Sequence, residues 1–77
     1  MKVKIIAPYG CRTDSLDERG WVNMKEASTV SDALKLIHCS KLKAKLLLVS
    51  VNGERSDFSR SLCEGDVIGF FFPAAGG

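Results

Sequence analysis

The first seven residues alternate between apolar and polar positions. Every odd position from Met1 to Ala7 is apolar, and lysines stand between the first three of them. A period of two is the pattern of a strand with one buried face. It predicts a first strand over these residues, which Pro8 and Gly10 end because both residue types favour turns over regular strand pairing.

A turn, a second strand and a helix are predicted next. The polar segment 11–20 predicts a long turn, and a second strand follows near Trp21 to Glu26. Thr29 and Asp32 fit a helix N-terminus, because the hydroxyl can accept from a free backbone N–H and the carboxylate lies near the positive end of the helix dipole. The apolar spacing i, i+3, i+4, i+7 then predicts an amphipathic helix over about Val30 to Cys39 that packs against a sheet.

Two more strands are predicted in the second half of the chain. The apolar run Leu46 to Val51 predicts a buried strand, and Asn52-Gly53 after it predicts a tight turn. The polar stretch from Glu54 to Leu62 is expected to be irregular. The turn residues Glu64-Gly65-Asp66 lead to a last strand, Val67 to Phe72. This order of elements predicts an α+β fold.

The composition fits one small domain. Of the 77 residues, 45% are hydrophobic and 26% charged, which supports one compact core but not a large cleft. We assign residues 1–73 to the domain and residues 74–77 to a flexible tail. A net charge of +2 with scattered lysines argues against a nucleic-acid partner. No apolar run approaches the roughly 20 residues that span a bilayer, so we expect no membrane partner and a cytoplasmic location.

The three cysteines do not form a recognisable metal or redox motif. Cys11, Cys39 and Cys63 are far apart, no C-x-x-C pair occurs, and the single histidine, His38, adjoins only one of them. We therefore predict no metal site. An odd cysteine count without a signal-like N-terminus predicts free thiols in a reducing compartment, with a structural or incidental role.

The end of the sequence carries the candidate reactive group. Pro73 lacks a backbone donor, so it is expected to end the last strand and to project the residues beyond it. Those residues, Ala74, Ala75, Gly76 and Gly77, are small enough to thread a narrow channel toward a nucleotide. The carboxylate of Gly77 would be activated there. No glycine-rich phosphate loop occurs, so ATP must bind to another protein, and we expect no bound cofactor here.

The helix start Thr29-Val30, the turn Glu64-Gly65-Asp66 and the ending Phe71 to Gly77 resemble the MoaD/ThiS family of ubiquitin-like sulfur carriers. The aromatic pair followed by Pro73 favours MoaD, the small subunit of molybdopterin synthase, over ThiS, the thiamin-thiazole carrier. The resemblance implies a β-grasp fold. In that fold the first and last strands are adjacent and parallel in a mixed sheet, and one main helix packs across it.

The resemblance also implies a non-catalytic carrier. An E1-like activating enzyme of the MoeB/ThiF type would adenylate Gly77 with ATP, and sulfur from a desulfurase or rhodanese would convert it to a thiocarboxylate. The MoaE-type large subunit of molybdopterin synthase would then receive the sulfur for the pterin that holds molybdenum or tungsten. The alternatives are a ThiS-like carrier for thiazole synthase or another pathway, a ubiquitin-like protein modifier, and a plain interaction module.

Three consecutive phenylalanines near the end must point to both faces of a strand, whereas the helix can cover only one face. At least one of them is therefore expected on the other face, as part of a docking surface for the activating enzyme and the synthase subunit. The alternative is that segment 53–62 folds over them. The candidate partner-binding residues are Phe70, Phe71, Phe72, Pro73, Ile6 and Pro8.

Overall fold

A computed structural model describes residues 1–39 and 45–73 of the chain. The tail-threading residues 74–76 and the reactive Gly77 lie outside the described residues. In chain order the described elements are β1 (Lys2–Ile6), β2 (Trp21–Asn23), α1 (Val30–Leu36), β3 (Leu48–Val51), β4 (Glu54–Ser56) and β5 (Val67–Phe71).

The strands form one mixed sheet in the order β2-β1-β5-β3-β4. β5 is the central strand and pairs in parallel with β1, and the register places Ile6 opposite Gly69. The other three strand pairs are antiparallel. The first and last strands are therefore neighbours, and α1 lies in the chain between β2 and β3. This is the β-grasp, ubiquitin-like fold, so the predicted fold class is confirmed.

The core lies between the sheet and α1. In β1, Val3 and Ile5 are buried while Lys2 and Ile6 are exposed, as the alternating sequence predicts. The same alternation continues across β3 and β5. Burial of these apolar side chains is the main favourable contribution to folding. The buried apolar residues are Val3, Ile5, Val30, Ala33, Ile37, Leu47, Val49, Val51, Leu62, Ile68 and Phe70.

Helix α1 begins as predicted but ends earlier. Thr29 is the N-cap: its backbone N–H donates to Asp32 Oδ2 at 2.9 Å, and its Oγ1 accepts from the Asp32 N–H at 3.4 Å. The helix ends at Leu36, not near Cys39 as the sequence predicts. The physical reason is the backbone of His38, whose φ of 48° is left-handed and cannot continue an α-helix.

The segment after β3 also differs from its prediction. The Asn52-Gly53 turn forms, with φ of 54° and 85°, and reverses the chain as expected. The residues after it were predicted to be irregular, which was wrong for Glu54–Ser56, since they pair with Val49–Val51 as β4. The other strands are shorter than predicted by one to three residues at one or both ends.

The long segment between β1 and β2 has no regular element, as predicted. Gly20 closes it against the sheet: its carbonyl accepts from the Ile5 N–H at 2.8 Å. Its φ is 91°, and a Cβ at this position would lie 2.7 Å from the Ile5 carbonyl oxygen. A glycine is therefore required here both for the backbone angle and for the close approach.

The prediction that all three cysteines are free thiols was wrong for two of them. Cys11 and Cys39 form a disulfide, with Cα atoms 4.9 Å apart and a sequence separation of 28. The tertiary fold brings them together because the segment after β1 passes the end of α1. Cys63 is free and exposed. The free-thiol argument for a reducing compartment therefore does not apply to this pair.

Candidate functional site

The candidate docking surface lies on the face of the sheet opposite α1, which we call the outer face. Side chains alternate between faces along each strand, so residues that flank the buried ones point outward. In β1 the outward residues include Lys4 and Ile6, and in β5 they include Gly69 and Phe71. The parallel register of β1 and β5 sets these residues side by side at the centre of the sheet.

Three apolar residues on the outer face surround Gly69, and we call Ile6, Leu48 and Phe71 the apolar strip. Phe71 is opposite Leu48, and Ile6 is opposite Gly69. Ile6 is 53% exposed and Phe71 38% exposed. Gly69 has no side chain, and Ser50 Oγ lies over it, 3.0 Å from where a Cβ would be. The strip therefore offers exposed apolar area to a partner from Ile6, Leu48 and Phe71.

The predicted docking residues are divided between two environments. Phe71 and Ile6 are exposed on the outer face as predicted, but Phe70 is only 3% exposed and belongs to the core. Its ring stacks on Phe58, with centroids 6.4 Å apart. We therefore remove Phe70 from the docking surface. Segment 53–62 covers Phe70 through Phe58, but Phe71 stays exposed, so the alternative of a fully covered aromatic cluster is wrong.

The last described residues follow β5 beside the apolar strip. β5 ends at Phe71, and Phe72 and Pro73 follow it as exposed residues. The parallel pairing of β1 and β5 ends at Ile6 and Gly69, and Pro8, which is half-buried, follows β1 at the same end of the sheet. The structure thus brings Ile6, Pro8 and Phe71 to the same end of the sheet as the start of the tail. We call Phe72 and Pro73 the tail root.

A polar network that the sequence analysis missed holds the start of β5. The Asn52 side chain accepts from the Val67 N–H at 2.9 Å and donates to Asp66 Oδ1 at 2.9 Å. Asp66 Oδ2 accepts from the Cys63 N–H at 2.8 Å. Asp66 is the buried carboxylate of this network, and its two partners compensate for the loss of water. The network fixes β5, and with it the strand that carries the tail root.

Basic residues flank the apolar strip on the outer face. Lys2 and Lys4 lie along β1, and Arg55 lies on β4 opposite Ser50. Among the ion pairs of residues 1–39 and 45–73, none involves these three side chains. An apolar strip with positive charges at its edges is complementary to an apolar patch with an acidic rim on a partner.

The titratable groups give no sign of catalysis at this surface. Hydrogen bonds from the backbone of Trp21 and Thr29 lower the pKa of Asp17 and Asp32 respectively, and the Ser59 hydroxyl lowers that of Asp57. All three carboxylates belong to turns or to the helix cap. In the described part of the chain we find no cavity and no cluster of His, Cys, Asp or Glu suited to a metal ion.

Sequence reasoning missed Leu48 and Gly69 as members of the surface. Leu48 was read only as part of a buried apolar run, although its alternation with Val49 and Val51 would have placed it on the other face. Gly69 interrupts the last predicted strand, and an isolated glycine in a strand can mark a close approach. Their proximity to Ile6 depends on the β1–β5–β3 register, which the sequence does not state.

Comparisons with known proteins agree with the fold. The model of the ThiS family matches residues 13–77. The crystal structure of SAMP1 from Haloferax volcanii superposes with a TM-score of 0.61 at 23% identity, covering 100% of this chain and 98% of that one. That likeness concerns the fold. No curated protein sequence matches significantly. Within the described ranges, no helix has the length and apolar character needed to cross a membrane.

Proposed function

Because the chain belongs to the ThiS family of ubiquitin-like sulfur carriers, we propose that it carries sulfur on the carboxyl group of Gly77. The observation that carries this proposal is the extent of the family match, which runs through the Gly76-Gly77 pair. The position of the tail root supports it, because Phe72 and Pro73 follow β5 beside an exposed apolar strip. ThiS-family proteins work with E1-like activating enzymes and further partner proteins.

The chemistry proposed for Gly77 has two steps. Its carboxylate attacks the α-phosphorus of ATP held by the activating enzyme, which forms an acyl-adenylate and releases pyrophosphate. In the second step, the terminal sulfur of a persulfide on a desulfurase or rhodanese attacks the acyl carbon, and AMP leaves. A thiol then attacks the donor's sulfur in the resulting acyl disulfide, which releases the thiocarboxylate and leaves the donor's sulfur in a disulfide with that thiol. The small residues 74–76 let the tail enter the enzyme's channel. ATP is consumed on the partner, and this chain contributes the acyl group and the surface that positions it.

The apolar strip is the proposed docking surface for the activating enzyme. An exposed aromatic next to a branched aliphatic residue is typical of the centre of a protein interface. Phe71 supplies the aromatic, Ile6 and Leu48 the aliphatic area, and the lysines of β1 a charged edge. Because Phe71 directly precedes the tail root, docking at the strip would direct the tail toward the nucleotide.

We also propose which pathway receives the sulfur from Gly77. The ending Phe71-Phe72-Pro73 favours the small subunit of molybdopterin synthase, which would deliver its sulfur with a MoaE-type large subunit to a pterin precursor. The competing receiver is thiazole synthase. Each candidate receiver is incubated with the thiocarboxylate form of the chain. Dithiolene formation on the pterin would support molybdopterin synthase, and thiazole formation would support thiazole synthase.

The carrier function is tested by intact mass. The chain is incubated with ATP, an activating enzyme and a sulfur donor, in parallel with a variant lacking Gly77. We expect a mass gain equal to replacing one oxygen by sulfur in the full chain only. An unchanged mass, with an enzyme that activates another carrier in the same assay, would contradict the proposal. Isopeptide-linked conjugates on lysines would instead support the modifier.

A further inference from the structure

The disulfide joins two parts of the chain that border the tail end of the sheet. Cys11 follows β1, and Cys39 follows α1. Both residues are half-buried and pack against the core. Their half-buried state leaves them open to a reductant. The bond therefore fixes the segment after β1 to the end of the helix.

The parallel pairing of β1 and β5 places this segment and the tail root at the same end of the sheet. The pairing ends at Ile6 and Gly69, and Pro8 follows β1 at the end where Phe72 follows β5. Cys11 belongs to the same turn as Pro8, because its N–H donates to the Pro8 carbonyl at 3.3 Å. The disulfide thus acts on a turn at the end of the sheet that carries Ile6, Phe71 and the tail root.

Within residues 1–39 and 45–73, few other hydrogen bonds hold the turn. Between Pro8 and Asp14, a single backbone hydrogen bond reaches another element within the described chain, from the Arg12 N–H to the Ile37 carbonyl at 2.8 Å. Tyr9 is 99% exposed. Gly10 has a φ of 92° and the largest conformational freedom of any residue type once released. Without the covalent link, this turn would be among the least stable parts of the fold.

We propose that the Cys11–Cys39 disulfide is a redox-controlled positioning element for the docking surface. This inference rests on the proposed function. In the oxidised chain, the turn at Pro8 is held at the end of the sheet that carries Ile6 and Phe71, so the activating enzyme meets an ordered surface. A dithiol reductant transfers two electrons and two protons to the disulfide, which becomes two thiols while the reductant becomes a disulfide. The released turn must then be ordered at the moment of docking, which weakens binding.

The test separates docking from chemistry. ATP–pyrophosphate exchange with the activating enzyme measures the adenylation of Gly77. The assay compares the oxidised chain, the phosphine-reduced chain and the Cys11→Ser/Cys39→Ser variant. We expect reduction to raise KM for the carrier by about tenfold, with kcat changed by less than about twofold. The double variant should show the raised KM in either condition. Cys63→Ser, which keeps the disulfide, should respond to the reductant as the unaltered chain does.

Amide hydrogen exchange provides a readout independent of activity. Reduction should speed exchange at Tyr9 to Arg12 and leave the β3 amides unchanged. Equal KM values for both redox forms, or equal exchange in this turn, would overturn the positioning role while leaving the carrier function intact. Failure of every form to be adenylated would overturn the proposed function itself, and the inference that depends on it.

Discussion

Phe70 and Phe71 show how one residue of displacement along a strand separates two roles. Phe70 faces α1, stacks on Phe58 and is buried. Phe71 faces the opposite side next to Leu48 and Gly69 and is exposed. Because strand side chains alternate, the two rings cannot share an environment. Phe70 therefore contributes to the stability of the core, and Phe71 is part of the proposed docking surface.

This division predicts opposite effects of two alanine substitutions. Phe71→Ala should weaken binding to the activating enzyme by about 2 kcal/mol, or about thirtyfold in Kd, as expected for an interface-centre aromatic. It should change the free energy of unfolding by less than about 1 kcal/mol. Phe70→Ala should cost about 3–5 kcal/mol of stability, because it leaves a cavity in the core. Titration calorimetry and urea unfolding measure the two effects.

Lys35→Ala is a matched control for the binding experiment. Lys35 is exposed on α1, on the other side of the sheet from the apolar strip. Its removal should leave Kd within about twofold. If Lys35→Ala weakened binding as much as Phe71→Ala, the docking surface would have to include the helix, and the assignment to the outer face would be wrong.

At the scale of elements, α1 depends on its N-terminal cap. The helix has only seven residues, which is too short to be stable in isolation. The reciprocal hydrogen bonds of Thr29 and Asp32 satisfy two backbone N–H groups that the first turn leaves free. Three of the residues that follow, Val30, Ala33 and Ile37, are fully buried. The cap and the buried stripe together explain why this helix forms.

Removing the cap is expected to destabilise the whole domain. Thr29→Ala should lower the free energy of unfolding by about 1 kcal/mol, since the Asp32 N–H loses its acceptor. Ser31→Ala, also in the first turn, is the control. The Ser31 N–H donates to the Phe58 carbonyl through the backbone, which alanine preserves. Chemical unfolding of both variants provides the comparison, and equal losses would contradict a specific capping role.

The same cap has a pH dependence. The Thr29 backbone N–H lowers the pKa of Asp32 below its ordinary value. A carboxylate with a lowered pKa in the folded state stabilises the fold above its unfolded pKa, about 4, and this stabilisation is lost as the pH falls through the folded value. The stability difference between the natural chain and Asp32→Asn should therefore be constant near neutral pH and shrink below about pH 4. A difference independent of pH would contradict the assignment.

At the scale of the molecule, the fold combines a small core with one covalent link. A domain of this size buries a modest share of its surface, so each stabilising contribution matters. The Cys11–Cys39 disulfide closes a long loop around β2 and α1. Closing a loop restricts the unfolded chain and so favours the folded state.

Reduction should therefore lower stability without changing the fold. For a sequence separation of 28 the loop-closure estimate is about 3.5 kcal/mol. Urea unfolding with and without a phosphine reductant measures the difference. Cys63→Ser should lose the same amount on reduction, and Cys11→Ser/Cys39→Ser should be insensitive to the reductant. No change in the unfolding midpoint of the natural chain would mean that the link does not restrain its unfolded state.

Much of the fold could be predicted because local patterns carry it. Alternation determined β1, helical spacing with Thr29 and Asp32 determined the start of α1, and Asn52-Gly53 determined the turn after β3. The family resemblance came from local motifs as well. β4 escaped prediction because Glu54–Ser56 has no apolar alternation, and it is a strand only through pairing with β3.

The sequence by itself determined β1 and its buried face, the start of α1, the turn at Asn52-Gly53 and the small residues of the tail, since these depend on residue type and spacing along the chain. Only the tertiary structure decided which distant residues meet. The register of β1, β5 and β3 assembled Ile6, Leu48 and Phe71, the packing of α1 buried Phe70, and the path of the β1–β2 segment joined Cys11 to Cys39. These contacts join residues that are far apart in the sequence, and no local pattern of residues predicts them.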